Sequence, residues 1–409
     1  MQTSNWDSKY AGRTKSMTCS AIRELLKVAA RPEVIAFGGG MPAPELFPRE
    51  EVKTACERVL KDPKLANQAL QYGVTEGHPP LREWIAEFMS KDGVKVNPDN
   101  ILITGGSQQA LDMIGKIFMD EGDKVVVESP TYLGALQAWA PYLPQYEIVG
   151  SDQDGMIPQG MEKILEKNPK LVYVLSNFQN PTGVTITLER RQKLVELASQ
   201  FNMPMVEDDP YGALYYESQP VPLLFDLECR KDKDGGNENG HVIYLSTFSK
   251  ILTPGFRLAW MVAPSEVISK FVQAKQGMDL QTNTFAQYVA YEVARTGFLK
   301  GHIENLRKVY RQRRDIMLEC LEEDLPQNKG IHWTHPLGGL FLWITLPPHV
   351  NATQVLEESL KENVAFVPGD SFHPNGGGEN TMRLNFSFMP EDRIVEGIGR
   401  LGKVIKKMV

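Results

Sequence analysis

Lys250 follows three hydroxyl residues in Ser246-Thr247-Phe248-Ser249-Lys250, and Arg257 stands seven positions further on. Burial disfavours an ammonium and can lower a lysine pKa by as much as ~3–5 units, which frees a neutral amine as a nucleophile. The planar fork of an arginine suits a phosphate dianion. An amine for an aldehyde, together with hydroxyls and a guanidinium for a phosphate, are the parts of a pyridoxal phosphate anchor. A surface lysine in a Ser/Thr-rich loop explains this stretch equally well, because short motifs recur by chance. The rest of the chain has to decide.

Other polar residues fall at comparable places. Ile101–Thr104 reads as a buried strand, Gly105-Gly106 as a tight turn and Ser107-Gln108-Gln109 as a helix start. Free N–H groups and the helix dipole there favour an anion, although Ser107 could simply cap the helix. Tyr132 follows the strand Lys124–Glu128 and could stack on a planar ring, or merely pack. Asn180 lies in the Asn177–Gly183 segment after an apolar run, and Asp208-Asp209-Pro210-Tyr211 closes another. Arg383 sits in Thr381–Phe386 among apolar and small residues. A buried arginine needs an anion, either an Asp or Glu of the protein or the carboxylate of a substrate. Near the N-terminus, residues 18–30 predict an amphipathic helix with Ser20 as N-cap and Arg23 in its first turn. A cation there opposes the dipole at a cost of roughly 0.3–1 kcal/mol. The glycines of Phe37–Pro44, among them Gly39 and Gly40, admit close approach of backbone to a ligand, and a plain linker would look the same.

These residues need a scaffold. Apolar strands alternate with helical patterns over residues 100–265, which predicts an α/β sheet, mostly parallel and covered on both faces. The polar clusters then lie at the C-terminal ends of strands, where open α/β sheets bind ligands. Helical patterns follow at about 265–280, 284–297 and 299–325, and alternating runs near 331–343 and 381–386 flank a helix at about 352–363, predicting a smaller α+β unit. With 409 residues, more than one core is expected. The net charge of −7, with basic residues dispersed, argues against nucleic acid as the main partner. The first twenty residues carry no apolar signal core and no run is long enough for a membrane span, so a cytoplasmic protein is expected. Cys19, Cys56, Cys229 and Cys320 are scattered, which predicts reduced thiols with neither metal site nor disulfide frame.

Gly-Gly-Ser-Gln-Gln-Ala-Leu at 105–111, Asn-Pro-Thr-Gly at 180–183, Glu-Asp-Asp-Pro-Tyr at 207–211, Ser-Thr-Phe-Ser-Lys at 246–250 and Met-Arg-Leu at 382–384 stand in one order. Together they resemble the fold-type I pyridoxal phosphate-dependent aminotransferases (class I/II), from about residue 20 onward. Within that family, Ser20–Leu26, Phe37–Pro48 and Phe366-Val367-Pro368-Gly369 are most similar to the 2-aminoadipate and kynurenine/aminoadipate group. The resemblance implies the PLP-transferase fold. It assigns 1–50 to an N-terminal segment with a substrate-capping helix that belongs to the smaller domain. Residues 51–298 become a large cofactor-binding domain, and 299–409 a connecting helix with a small C-terminal α+β domain. It makes Lys250 the Schiff-base lysine and Asp208, three residues before Tyr211, the partner of the pyridinium nitrogen. Asn180 and Tyr211 would meet the phenolic oxygen and Tyr132 would stack on the ring. Gly106, Ser107, Gln108, Ser249 and Arg257 would hold the phosphate, with Thr247 as a further candidate where serine is usual. Tyr72 would reach the phosphate of a neighbouring subunit, hence a homodimer. Arg383 would bind the substrate α-carboxylate, and Arg23, with Gly39, Gly40 and Asn180, would complete the substrate site. The expected reaction is ping-pong transamination between amino acids (2-aminoadipate, glutamate, leucine or aromatic) and 2-oxo acids. The same cofactor motifs serve lyases and decarboxylases. A cofactor-bound transcription regulator would need a DNA-binding domain ahead of the first helix, where only about twenty residues stand.

Overall fold

The computed structural model describes residues 6–17, 31–217, 220–232, 234–326 and 329–409. The predicted helix over 18–30, with Ser20 and Arg23, lies outside them. Helices α1 (Arg49–Lys61) and α2 (Pro79–Met89), with a shorter one at Pro63–Ala69 between them, precede the first strand of the main sheet. The chain then alternates: β1 (Ile101–Thr104), α3 (Ser107–Phe118), β2 (Lys124–Glu128), β3 (Gln145–Val149), β4 (Leu171–Val174), α4 (Leu188–Gln200), β5 (Met205–Asp208), β6 (Val242–Thr247) and β7 (Ala259–Val262). The seven strands pair in the order β1-β7-β6-β5-β4-β2-β3. Only β7 runs against its neighbours. Apolar and β-branched runs such as Ile-Leu-Ile and Val-Val-Val are buried along their whole length, as required of strands covered on both faces. The parallel strands β1, β2, β4, β5 and β6 therefore release their next residues at one edge of the sheet.

Three helices follow: α5 (Ser265–Gln276), α6 (Thr284–Ala294) and α7 (Phe298–Asp324). The 27 residues of α7 span about 40 Å at 1.5 Å per residue. Its first turns, Leu299 and Ile303, pack into the core beneath the sheet, whereas Leu306, Tyr310, Met317 and Leu321 pack into a second core. That second core is built from β8 (His332–Trp333), β9 (Phe341–Thr345), α8 (Ala352–Lys361), β10 (Val364–Ala365), β11 (Val367–Pro368), β12 (Thr381–Asn385) and α9 (Glu391–Met408). β8, β9, β12 and β11 form an antiparallel sheet in that order, so this layer is α+β as expected. The N-terminal segment joins it: Ile35–Ala36 pairs in parallel with β10. Buried Arg313 on α7 pins the junction, pairing with Glu45 at 2.6 Å and Glu391 at 3.4 Å and donating to the Ser387 carbonyl. Among the described residues no helix is long and apolar enough to cross a membrane, and Cys56, Cys229 and Cys320 are free.

Candidate active site

The released strand ends converge on a cavity of about 270 Å³. At one end, the turn after β1 meets the turn before β7. Gly106 caps α3 with φ of 93°, and a Cβ there would collide with the Arg257 guanidinium. Only glycine brings the arginine and the helix N-terminus this close. The first N–H groups of α3 have no intrahelical acceptor, and the Ser107 hydroxyl is buried without a partner. Arg257 Nη1 lies 3.4 Å from Ser249 Oγ. Thr247 Oγ1 accepts the Ser249 N–H at 3.0 Å and donates to the Leu258 carbonyl at 3.0 Å, so its hydroxyl serves the loop itself. Gln108 lines the cavity while its side chain donates to the Gly134 carbonyl. Buried donors without an acceptor, a guanidinium and a helix N-terminus fit a phosphate.

In the middle, Asp208 and Asp209 leave β5 on opposite sides, as successive strand residues must. Asp208 Oδ2 accepts the Tyr173 hydroxyl at 2.8 Å, and Oδ1 is buried without a partner in the cavity. Burial raises its pKa to about 7, against the hydrogen bond from Tyr173. Asp209 instead accepts from Asn177, Tyr244 and the Gly212 N–H, away from the cavity. An orphan carboxylate oxygen at the cavity floor fits the ring N–H of a pyridinium. Burial also raises the Tyr211 hydroxyl, and takes Tyr132 up to about 12, so both remain neutral donors.

Lys250 Nζ donates to the Gly40 carbonyl at 2.7 Å and stands 5.9 Å from the Tyr211 ring centroid. Burial, with Arg383 and Arg257 nearby, lowers its pKa from 10.5 to about 8. At the far end Arg383 is 1% exposed. Its guanidinium lies over the rings of Phe341 and Phe372, at 4.3 and 5.2 Å. Nη1 donates to Asn180 Oδ1 and Nη2 to the Gly38 carbonyl, both at 2.7 Å, while Nε has no partner. Burial takes its pKa down to about 10. Among the described residues no carboxylate pairs with Arg383, which leaves the second of the two anions weighed for it, that of a ligand.

The cavity thus gathers Gly40, Ser107, Gln108, Tyr132, Asn180, Asp208, Tyr211, Thr247, Ser249, Lys250, Arg257 and Arg383 from seven segments of chain. Gly106 backs it through Arg257, and Gly39 is buried without lining it. Tyr72 is on the surface, 78% exposed, and takes no part in this protomer's cavity. Sequence reasoning missed Tyr173 as the partner of Asp208 and, for Gly38 in the glycine segment, the carbonyl contact to Arg383. A lone hydroxyl in the apolar run Leu171–Leu175 was the available signal for the first, because a buried tyrosine O–H needs a partner. A larger cavity of about 560 Å³ lies behind Asp209 and Tyr244, but none of its lining side chains leaves a buried polar atom unpaired.

Residues 43–401 match the family Aminotransferase class I and II. The aromatic-amino-acid aminotransferase 1 of Thermococcus litoralis is 44% identical, covering 99% of this chain and 96% of its own. The 2-aminoadipate transaminase of Thermus thermophilus is 40% identical over 100% and 99% of the two chains. A crystal structure of the α-aminoadipate aminotransferase of Thermus thermophilus, complexed with N-(5′-phosphopyridoxyl)-L-leucine, superposes with a TM-score of 0.91 at 40% identity, covering 99% of each chain.

Proposed function

Since the chain belongs to the class I and II aminotransferase family and is a transaminase, we propose that it binds pyridoxal 5′-phosphate around Lys250 and prefers 2-aminoadipate and glutamate as amino donors. Leucine or aromatic amino acids are secondary donors, and 2-oxoglutarate or another 2-oxo acid is the acceptor. One observation carries this reading: the Lys250 amine, the unpaired oxygen of Asp208 and Arg383, with its unpaired Nε, line one cavity. The cofactor, when bound, supplies an aldehyde and a ring that draws electrons from the substrate Cα.

The chain's own residues do the rest. Asp208 Oδ1 accepts the ring N–H and, ionised, keeps that proton in place. Lys250 Nζ, once released from the Gly40 carbonyl, would take the proton from the substrate Cα as general base and give it back as general acid. Arg383 holds the α-carboxylate, which is common to all amino-acid substrates. Asn180, whose Oδ1 is engaged by Arg383, offers its Nδ2 to the phenolic oxygen beside the Tyr211 hydroxyl. Tyr132 would lie against the ring, and Gly106, Ser107, Gln108, Ser249 and Arg257 would hold the phosphate. Thr247 orders Ser249 for that task.

The assembly we propose is a cytoplasmic homodimer in which Tyr72 reaches the phosphate of the neighbouring site. Leu70, Tyr72 and Val74 are 69%, 78% and 53% exposed, an apolar stretch of the kind that partners cover. We divide the chain into 51–298 around the main sheet, and 299–409 with the N-terminal 1–50 around the second core, a division supported by the apolar cluster of the second core standing apart from the two that cover the main sheet. Arg23 receives the distal carboxylate of the dicarboxylic donors and is dispensable for apolar ones. Arg23→Ala should cost ~1.5–3 kcal/mol in kcat/KM for 2-aminoadipate and leave leucine nearly unchanged. An unchanged ratio of the two would make Arg23 an ordinary helix residue.

A further inference from the structure

Behind the phosphate end lies a buried cation that none of these steps uses. Lys275, in the last turn of α5, is 0% exposed. Its Nζ donates to both oxygens of Asp279, at 2.9 and 3.0 Å, and to Gln109 Oε1 at 2.8 Å. Gln109 Nε2 donates to Asp279 Oδ2 at 2.6 Å, and Gln109 Oε1 accepts the Gly105 N–H at 2.7 Å. Gln109 is the third residue of α3, so its side chain reaches back over the helix end to the residue beside Gly106. A glutamine at that position caps helices widely. Capping alone does not call for a fully buried ammonium, whose desolvation opposes much of the attraction it gains.

The backbone of the same lysine anchors a second strand of contacts. The N–H groups of Met278, Asp279 and Leu280 all close on the Lys275 carbonyl at 3.0–3.1 Å, forming the turn that carries Gln281. Gln281 Oε1 accepts the Gly73 N–H at 2.6 Å, while its Nε2 donates to Thr284. The segment from Lys275 to Gln281 therefore reaches Gly105, next to this protomer's phosphate cup, through Gln109, and Gly73, next to Tyr72, directly through Gln281.

We propose that Lys275, Asp279 and Gln109 form a positioning unit for the cofactor's phosphate, one that sets the Gly105–Gly106 turn of its own site and, through Gln281 and Gly73, the Tyr72 arm offered to the neighbouring site. The proposal rests on the transaminase and dimer reading above. Its signature is selectivity: the unit touches what holds the phosphate and nothing that holds the ring.

The test compares binding of pyridoxal 5′-phosphate with that of pyridoxal, which lacks the phosphate, by absorbance titration of the apoenzyme. Lys275→Met and Gln109→Leu should each weaken the phosphorylated ligand about tenfold, the worth of one hydrogen bond involving a charged group, and leave pyridoxal unchanged. Gln109→Leu introduces no unpaired charge, so it carries the test should Lys275→Met not fold. Gln281→Leu should weaken pyridoxal 5′-phosphate to the same extent as Tyr72→Phe, and the pair combined should lose no more than either alone. Equal weakening of both ligands, or of neither, overturns the proposal, and additive losses overturn its Tyr72 limb. An unsubstituted protein with no preference for the phosphorylated ligand would instead bring down the cofactor reading, and this proposal with it.

Discussion

The two ends of the cavity are built in different ways. At the phosphate end two short turns of one sheet meet, Gly106 against Arg257, and within the second the contacts are local: Ser249 N–H to Thr247, Arg257 to Ser249 and Thr247 to Leu258 span two, eight and eleven residues. Short turns released by one rigid sheet suffice. At the carboxylate end Arg383 reaches Asn180 across 203 positions and the Gly38 carbonyl across 345. That end exists only because β12 of the second layer, the loop after β4 and the N-terminal segment come together. On the proposed reading, the part of the chemistry that never leaves the enzyme is held by turns of a single sheet. The part that exchanges in each cycle is held where two layers meet, and so is sensitive to how they sit. Lys250 joins the two, between Arg257 and the Gly40 carbonyl.

Removing that join should have the largest effect. Lys250→Ala takes away both the amine for the aldehyde and the proton carrier, and turnover should fall at least ~10⁴-fold. Pyridoxal phosphate should still bind through Arg257 and α3, and equilibrium dialysis alongside steady-state rates separates the two. Turnover near that of the unsubstituted protein would break the assignment. A smaller effect, confined to one end, is expected for Arg383→Lys. The charge stays but the fork is lost, so kcat/KM should drop about 10–100-fold for every amino acid alike, with cofactor affinity unchanged. Damage limited to dicarboxylic donors would exchange the roles of Arg383 and Arg23.

The smallest effect is one of pH. Because burial lowers the Lys250 pKa to about 8, the amine is protonated below that pH and neutral above it. The rate at which apoenzyme captures added pyridoxal phosphate should climb about tenfold per pH unit up to about 8 and then level. An unperturbed lysine would keep climbing towards 10.5. Stopped-flow absorbance across pH 6 to about 10 reads the difference.

The same contrast explains what the sequence disclosed. The phosphate end was legible because its residues fall in two short motifs, at 105–108 and 247–257, and the parallel sheet because its strands are unbroken apolar runs such as Val125–Val127. The long helix expected at 299–325 is Phe298–Asp324. Arg383 could be read as a buried cation in want of an anion, but Gly38 offers only a carbonyl, which no composition rule singles out. Tyr173 was invisible as the partner of Asp208 because the pairing depends on how β4 and β5 lie side by side. Edge strand β3, Gln145–Val149, carries Gln and Glu in its short run and went unread. The α9 helix went unread as well, although Glu391 and Asp392 at its start and Lys406 and Lys407 at its end match the helix dipole. Nothing in the sequence distinguishes Lys275 from the other lysine of α5, and only the fold puts Gln109 and Asp279 around it.

The most direct test of the central claim, that this cavity transfers an amino group and does nothing else to its substrate, is a single-turnover product analysis. Protein loaded with pyridoxal phosphate is mixed with one equivalent of 2-aminoadipate in the absence of any acceptor. The account predicts one equivalent of the matching 2-oxo acid, with the nitrogen retained on the enzyme until a second 2-oxo acid is added. Release of carbon dioxide or free ammonia in that single turnover would contradict it and place the chain with the decarboxylases or lyases that share its anchor.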